Sequence, residues 1–384
     1  MKRITLGWLR IALAFMVVDR HFGLFANLFT HVATSLHNQT VFYFCGDGEL
    51  AVSGFFILSG FLVAEILAKK YPSNTYGDFL HFVLSRYLRI FPLYLLVLLG
   101  YLSVKLISGA HWQFGVLDVL GNILLLPWGV YDFFAHGQLF THMIIGPTWT
   151  LSLDLVFYPI GFILFKQKKL LVSIFVALLL FYLYVWHVSP ASPGMLYHVY
   201  VGGSWWNQQF YTSIPPNLLA FVAGMVANIY VKQVRIGWAW LGLAGLTVLY
   251  VSYTPAYIDY FAAQLLAIAA LTVIVVALAQ NGVSQHESLM GSLTYAVYLV
   301  HYPTQIILDH LKFRTGVLFG IALSLILAVL LAVFVEERLV ESRRRRWLNA
   351  WKPDVQGQPM HYRFLSFVVL SMLMVSMWMH ISSL

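Results

Sequence analysis

The sequence predicts an all-α fold: a polytopic transmembrane helical bundle of ten core spans, an appended C-terminal helix and one re-entrant segment. Three observations predict it. Of 384 residues, 60% are hydrophobic and only 10% charged, whereas a soluble domain carries about 25% charged residues. Mean hydropathy is +0.78. Apolar stretches close to the roughly 20 residues that cross a bilayer recur along the whole chain, with Lys and Arg gathered between them. This composition excludes an ordinary soluble enzyme, a disordered chain and a nucleic-acid binder. The formal charge of +8 then reflects cytoplasmic loops rather than a nucleic-acid partner. Cys45 is the only cysteine, which excludes an intrachain disulfide and a thiolate metal cluster.

The first span, 5–28, follows Met1-Lys2-Arg3 and holds Arg10, Asp19, Arg20 and His21. A cleaved signal peptide would not carry these, so it reads as a retained helix. The second, 48–68, contains several Gly and Ser residues, which suit close helix–helix approach. Further spans lie near 85–107, 148–165, 170–188, 216–232, 236–254, 259–280, 290–311 and 315–337, and the appended helix is 363–383. The chain divides into a membrane core, 1–346, and a C-terminal linker with the extra helix, 347–384. No soluble domain is attached.

Orientation follows from the Lys and Arg positions. Lys2, Arg3, Lys69, Lys70, Arg86, Lys166, Lys168, Lys169, Lys232, Arg235 and the run Arg343-Arg344-Arg345-Arg346 fall inside, and the Lys/Arg-free stretches 27–46 and 188–216 outside. The alternation requires 109–147 to stay outside, dipping in and returning. Its apolar core, Val116 to Trp128, is too short for a comfortable span. Lys312 and Arg314 then lie outside, against the rule.

An ionisable residue within a span is costly and marks function by default. Arg10 and His21 are eleven residues apart, so they share one helical face about 16 Å apart along the axis. The bland alternative is an imidazole bonded to a neighbouring carbonyl and an arginine snorkelling to the interface. Asp19 and Arg20 read as a local pair or outer-end contacts. In Arg86-Tyr87-Leu88-Arg89 the two arginines are neighbours on one face. They can fork onto phosphate oxygens or anchor lipid headgroups. Pro147 fits a helix start. Asp154 lies about two turns inside that helix with Tyr158 on its face, and a buried carboxylate needs a partner or a proton. An arginine of another helix would supply a purely structural pair. His301, beside Pro303 in sequence, serves a site or satisfies the backbone groups a proline frees. Trp205, Trp206 and Tyr211 read as interfacial belt. His31, His37, His136 and His142 lack ligand spacing, so no metal is expected.

Taken together, these motifs resemble the acyltransferase-three family of integral-membrane O-acyltransferases. The resemblance runs from about Arg10 to the arginine run. Arg10 to His21 is similar to the family's first-helix arginine–histidine pattern, and Gly54-Phe55-Phe56-Ile57-Leu58-Ser59-Gly60-Phe61-Leu62 to its second-helix signature. Arg86-Tyr87-Leu88-Arg89 resembles its paired-arginine motif. Trp149-Thr150-Leu151-Ser152-Leu153-Asp154 with Phe157-Tyr158 resembles its tryptophan–serine–glutamate stretch, and Tyr295 to Pro303 its late tyrosine–histidine–proline stretch. Asp154 stands where the family usually has Glu, and Asp19 and Arg20 occupy usually apolar places. The extracellular hydrolase-like domain fused to some members is absent, and 363–383 lies outside the resemblance.

The resemblance implies an acyl-CoA-dependent O-acyltransferase. Acetyl-CoA is the expected donor, used as a co-substrate without a metal. The acceptor is a hydroxyl of a cell-surface or lipid-linked carbohydrate at the outer face. His21 is the expected base or acyl relay, with Asp154 orienting it and Arg10 supporting catalysis. Arg86, Arg89 and Arg10 are expected to hold donor phosphates, and Tyr158, Trp149 and His301 to bind substrate. The expected location is the bacterial inner membrane, multi-pass, with a cytoplasmic N-terminus; the bilayer is a partner and nucleic acid is not. The competing reading is a proton-coupled secondary transporter, with His21, Asp154 and His301 as relay. Such proteins show paired halves, and no inverted half-repeat is visible.

Overall fold

The computed structural model describes residues 5–24, 48–109, 114–126, 143–188, 212–231, 233–253, 260–282, 286–311, 317–351 and 360–382. Lys2, Arg3, Cys45, Lys232, Lys312, Arg314, the histidines His31, His37, His136 and His142, and the aromatics Trp205, Trp206 and Tyr211 lie outside the described residues.

Every element among the described residues is helical: α1 (Leu6–Phe22), α2 (Gly48–Lys70), α3 (Tyr76–Ile107), α4 (Val116–Ile123), α5 (Trp149–Lys166), α6 (Lys168–Val188), α7 (Ile214–Tyr230), α8 (Trp238–Tyr253), α9 (Tyr260–Ala279), α10 (Glu287–His310), α11 (Val317–Leu330), α12 (Ser342–Ala350) and α13 (Tyr362–Ser382). Six of the described helical stretches are long and apolar enough to cross a bilayer: Gly48–Lys70, Tyr76–Ile107, Gly146–Lys166, Lys168–His187, Phe261–Ala279 and Val317–Ala350. Ile214–Tyr230, Trp238–Val251 and Leu365–Met374 are shorter apolar helices. α1 and α10 belong to neither group. Both are diluted by the polar side chains that form the site described below.

Two segments bear on the sequence reading. Within 109–147 the chain forms α4, eight residues long, about 12 Å and well short of a span. It opens with Gly115 N–H donating to Asp118 Oδ2 at 3.0 Å. The arginine run is helix rather than loop. α11 continues through a π-helical segment, Leu331–Glu341, directly into α12. Ion pairs from Glu341 to Arg344 and Arg345, three and four residues on, support that continuation.

The chain forms two compact units. Unit 1 comprises Met1–Ala51, Leu84–Ser152 and Val283–Trp351; unit 2 comprises Val52–Val83, Leu153–Gly282 and Lys352–Leu384.

In unit 2, α7 packs on α6, α9 and α13, and α8 packs on α9. α2 and α7 cross backbone to backbone. A Cβ on Gly60 would stand 1.8 Å from the Phe221 carbonyl oxygen, and one on Gly224 would stand 2.0 Å from that of Ile57. Only glycine permits this approach. Phe157 packs between Phe56 and Phe221, each with ring centroids 5.4 Å from its own. An apolar cavity of about 410 Å³ between α6, α7 and α9 is lined by Leu219, Ala223, Val226, Leu265 and Ile268, among others, and by none of the expected site residues.

In unit 1, α10 is central, packing on α1, α11 and the π segment. Gly7 lies at Glu287 and Met290, Arg10 at Gly291 and His21 at His301, so α1 and α10 run parallel. The middle of α3, within unit 1, reaches the same end, with Tyr295 Oη donating to the Ile90 carbonyl at 2.5 Å. α11 runs the other way, from Gly320 beside Phe22 and Leu308 to Glu336 beside Arg89. Tyr94 Oη donates to the Asn122 carbonyl at 2.6 Å, and Asn122 Oδ1 accepts from Ile144 N–H at 2.9 Å. These bonds set the chain entering the Gly146–Thr148 turn that precedes α5.

Candidate active site

One end of unit 1 is ionised. Arg10 Nη1 pairs with Glu287 Oε1 at 3.9 Å, while Thr5 Oγ1 donates to Glu287 Oε2 at 3.0 Å. Arg89 Nη1 pairs with Glu336 Oε1 at 3.5 Å. Glu336 is fully buried on the π segment, and neither of its oxygens has a hydrogen-bond donor among the described residues. Arg344 bonds Glu341 and lies within electrostatic reach of Arg86 and Arg89. Gly291 makes room for this assembly. A Cβ there would meet Arg10 Nη1 at 3.1 Å and Arg89 Nη2 at 3.8 Å. Guanidiniums from four places in the sequence therefore gather at one end, the arrangement that recognises a phosphate-bearing anion.

About 16 Å further along α1, the same face carries His21. The helix stops just beyond it because Gly23 adopts the left-handed region (φ 62°) and its N–H returns to the Asp19 carbonyl at 2.6 Å, a left-handed glycine cap. Gln305 Nε2 donates to the exposed His21 carbonyl at 2.7 Å. The Tyr302 ring stands edge-on to His21 at 5.4 Å. Asp19 is buried, and the stem of Arg20 lies against Gly48.

His21 meets a second histidine. His301 Nε2 is 3.2 Å from His21 Nδ1. His21 Nδ1 also lies 2.8 Å from the Val17 carbonyl, and His301 Nδ1 lies 3.1 Å from the Val297 carbonyl. A carbonyl only accepts, so in both neutral rings the proton sits on Nδ1. His21 has one Nδ1–H, shared between the Val17 carbonyl and His301 Nε2, and among the described residues nothing bonds His21 Nε2. The pair is an imidazole held from behind at Nδ1 by a second imidazole. His301 is fully buried and His21 partly so.

The start of α5 is tied to this pair. Tyr298, whose ring centroid is 5.9 Å from that of His301, donates its hydroxyl to the Pro147 carbonyl. That hydroxyl also lies 2.6 Å from Thr150 Oγ1. Gly146 faces the Tyr302 ring, where an added Cβ would stand 3.3 Å from Cζ. Trp149 caps this turn, its carbonyl accepting from Ser152 Oγ at 2.6 Å.

Of the residues expected from the sequence, unit 1 brings together Arg10, Arg86 and Arg89 at its ionised end, and His21 with His301 further along; it also holds Trp149. Unit 2 holds Asp154 and Tyr158. There Ser59 Oγ donates to Asp154 Oδ1 at 2.9 Å, and the Tyr158 hydroxyl bonds the same carboxylate. The immediate polar neighbours of the His21 ring nitrogen are His301 and Val17. Sequence reasoning missed Glu287, Gly291, Glu336 and Arg344. A signal existed for Glu336, an ionisable residue inside the expected span 315–337.

A family profile described as an acyltransferase domain, acyltransferase-three, matches residues 3–336. No curated protein and no solved structure gave a match.

Proposed function

The chain belongs to the acyltransferase-three family, and on that premise we propose that this multi-pass membrane protein moves an acyl group, acetyl in the first instance, from cytoplasmic acyl-CoA to a hydroxyl of a cell-surface or lipid-linked carbohydrate. The observation that carries the reading is the histidine pair with its bare His21 Nε2. It stands on the α1 face that also bears Arg10.

A sugar hydroxyl is a poor nucleophile and needs a base. In the proposed step its oxygen attacks the thioester carbonyl carbon while His21 Nε2 takes the hydroxyl proton. The carbon–sulfur bond breaks, the leaving thiolate takes that proton from the imidazolium, and an ester and free CoA thiol leave. Such base help is typically worth about 10²–10⁴-fold. His301 holds Nδ1–H of the transient imidazolium, the place a carboxylate takes in a catalytic triad. We assign this orienting role to His301 in place of Asp154, and we assign the donor phosphates to Arg86, Arg89 and Arg10. Trp149 and Tyr158 are proposed to contact the acceptor.

The phosphate end belongs to the cytoplasmic side by the positive-inside rule, with the N-terminus cytoplasmic and the host membrane a bacterial inner membrane. Ten core spans give α1, α3 and α10 one direction and α11 the other. The relative directions within unit 1 support that count.

The test is transfer of label from radiolabelled acetyl-CoA to envelope glycan in membranes, with mass spectrometry of glycans from cells with and without the gene. The expected results are an acyl mass lost with the gene and label transfer lost with His21→Ala. Label transfer unaffected by that substitution, or substrate uptake by vesicles without any acyl transfer, would overturn the reading.

A further inference from the structure

We propose that α12 binds the nucleotide end of the acyl donor: Arg344 adds a guanidinium to the phosphate site, and the exposed face of Trp347 receives the purine. This rests on the acyl-CoA reading above and goes beyond it, since α12 lies outside the residues matched by the family, 3–336.

The first observation is Arg344. A charge run is ordinarily a solvated face, and Arg345 fits that description with its side chain 72% exposed. Arg344 does not, at 12%. It turns inward, within electrostatic reach of Arg86, Arg89 and Glu336. Its Nη2 bonds Glu341. Its Nη1 is buried with no acceptor among the described residues. A buried charged donor left in this state is costly, and an incoming acceptor relieves it. Beside two further guanidiniums, the fitting acceptor is a phosphate oxygen.

The second observation is independent. Trp347 and Trp351 stack on each other, ring centroids 5.9 Å apart and planes within 13°. Trp347 is nonetheless 48% exposed, so its outer face is open. Arg344, Trp347 and Trp351 stand at i, i+3 and i+7, one stripe of the helix. An inward guanidinium and an open indole face on one stripe suit a ligand that carries phosphate and a flat base together. Aromatic faces hold bases without reading their edges. The 3′-phosphoadenosine diphosphate end of CoA has that chemistry. A lipid headgroup has the phosphate without the base.

Full-length protein in detergent is titrated with CoA, 3′-dephospho-CoA and acetyl-pantetheine, which lacks the nucleotide. CoA should bind far more tightly than acetyl-pantetheine. Arg344→Gln and Trp347→Ala should each weaken CoA about tenfold and leave acetyl-pantetheine unchanged, with Trp347→Phe recovering most of the loss. Equal binding of CoA and acetyl-pantetheine by the unaltered protein would overturn the inference without needing any variant. So would folded Arg344→Gln and Trp347→Ala proteins that bind CoA normally, leaving Trp347 as an interfacial anchor and the donor reading intact. Failure of the unaltered protein to bind CoA at all would remove the donor reading, and this inference with it.

Discussion

His301 Nε2 accepts from His21 Nδ1 at 3.2 Å across 280 residues of sequence, and each ring is anchored by a carbonyl four residues back on its own helix. The two carbonyls place the proton of each neutral ring on Nδ1, and the proposed function assigns the chemistry to His21 Nε2.

Removing that nitrogen should remove the reaction. His21→Ala is expected to lower turnover by about 10²–10⁴-fold while the protein still inserts. Label transfer in membranes with matched protein levels measures this, and a loss below tenfold would place the base elsewhere.

The proposed function makes His301 a positioning residue, whose signature is a split between rate and binding. His301→Ala should lower kcat by about 100-fold, the scale of a misplaced reacting group, with donor KM unchanged. Glutamine, whose side-chain oxygen can still accept, should recover part of the loss. Asp154→Asn keeps an acceptor for Ser59 and should affect kcat less than His301→Ala. Steady-state kinetics on the three variants checks the order, and Asp154→Asn as the most damaging of them would return the orienting role to Asp154.

Arg89 pairs with Glu336 and is proposed to hold the donor, and a double substitution separates the two roles. Arg89→Ala leaves the Glu336 carboxylate buried without its paired cation and should destabilise the fold by about 3 kcal/mol. It should also weaken CoA. Adding Glu336→Gln should restore thermal stability but not affinity. Unfolding curves and CoA titration of the single and double variants read the two effects apart.

The glycines at backbone crossings should tolerate no side chain. Gly60→Ala and Gly224→Ala would drive a Cβ into a backbone carbonyl and should each cost about 3 kcal/mol or more. Gly100 has nothing within 4 Å of its Cβ position, so Gly100→Ala should be neutral or slightly stabilising. Thermal unfolding in detergent compares all three.

Much of the helical layout was legible because length and apolarity announce a span, as in 48–68 and 85–107. The common face of Arg10 and His21 was legible from helical periodicity alone. The partner of that face was not. No local pattern links His21 to His301 across the chain; His301 on its own read as serving a site or satisfying backbone groups freed by Pro303, and only the family resemblance made it a substrate contact. Gly291 gave no sign either, because its meaning lies in the guanidiniums that converge on it. The arginine run read as loop because charge at the end of a span usually is. Its continuation as helix depends on pairing with Glu341, visible in the sequence only once the helical register is known.

The π-helical stretch from Leu331 to Glu341 decides where α12 is aimed. Each residue of a helix turns its successors by about 100°. Losing a single residue between Glu336 and Ser342 would swing Arg344 and Trp347 more than a quarter-turn off their bearing, while hydropathy and charge stayed almost the same. Spacing here, more than composition, carries the information, and a one-codon change in length could uncouple the terminal helix without altering any side chain on it.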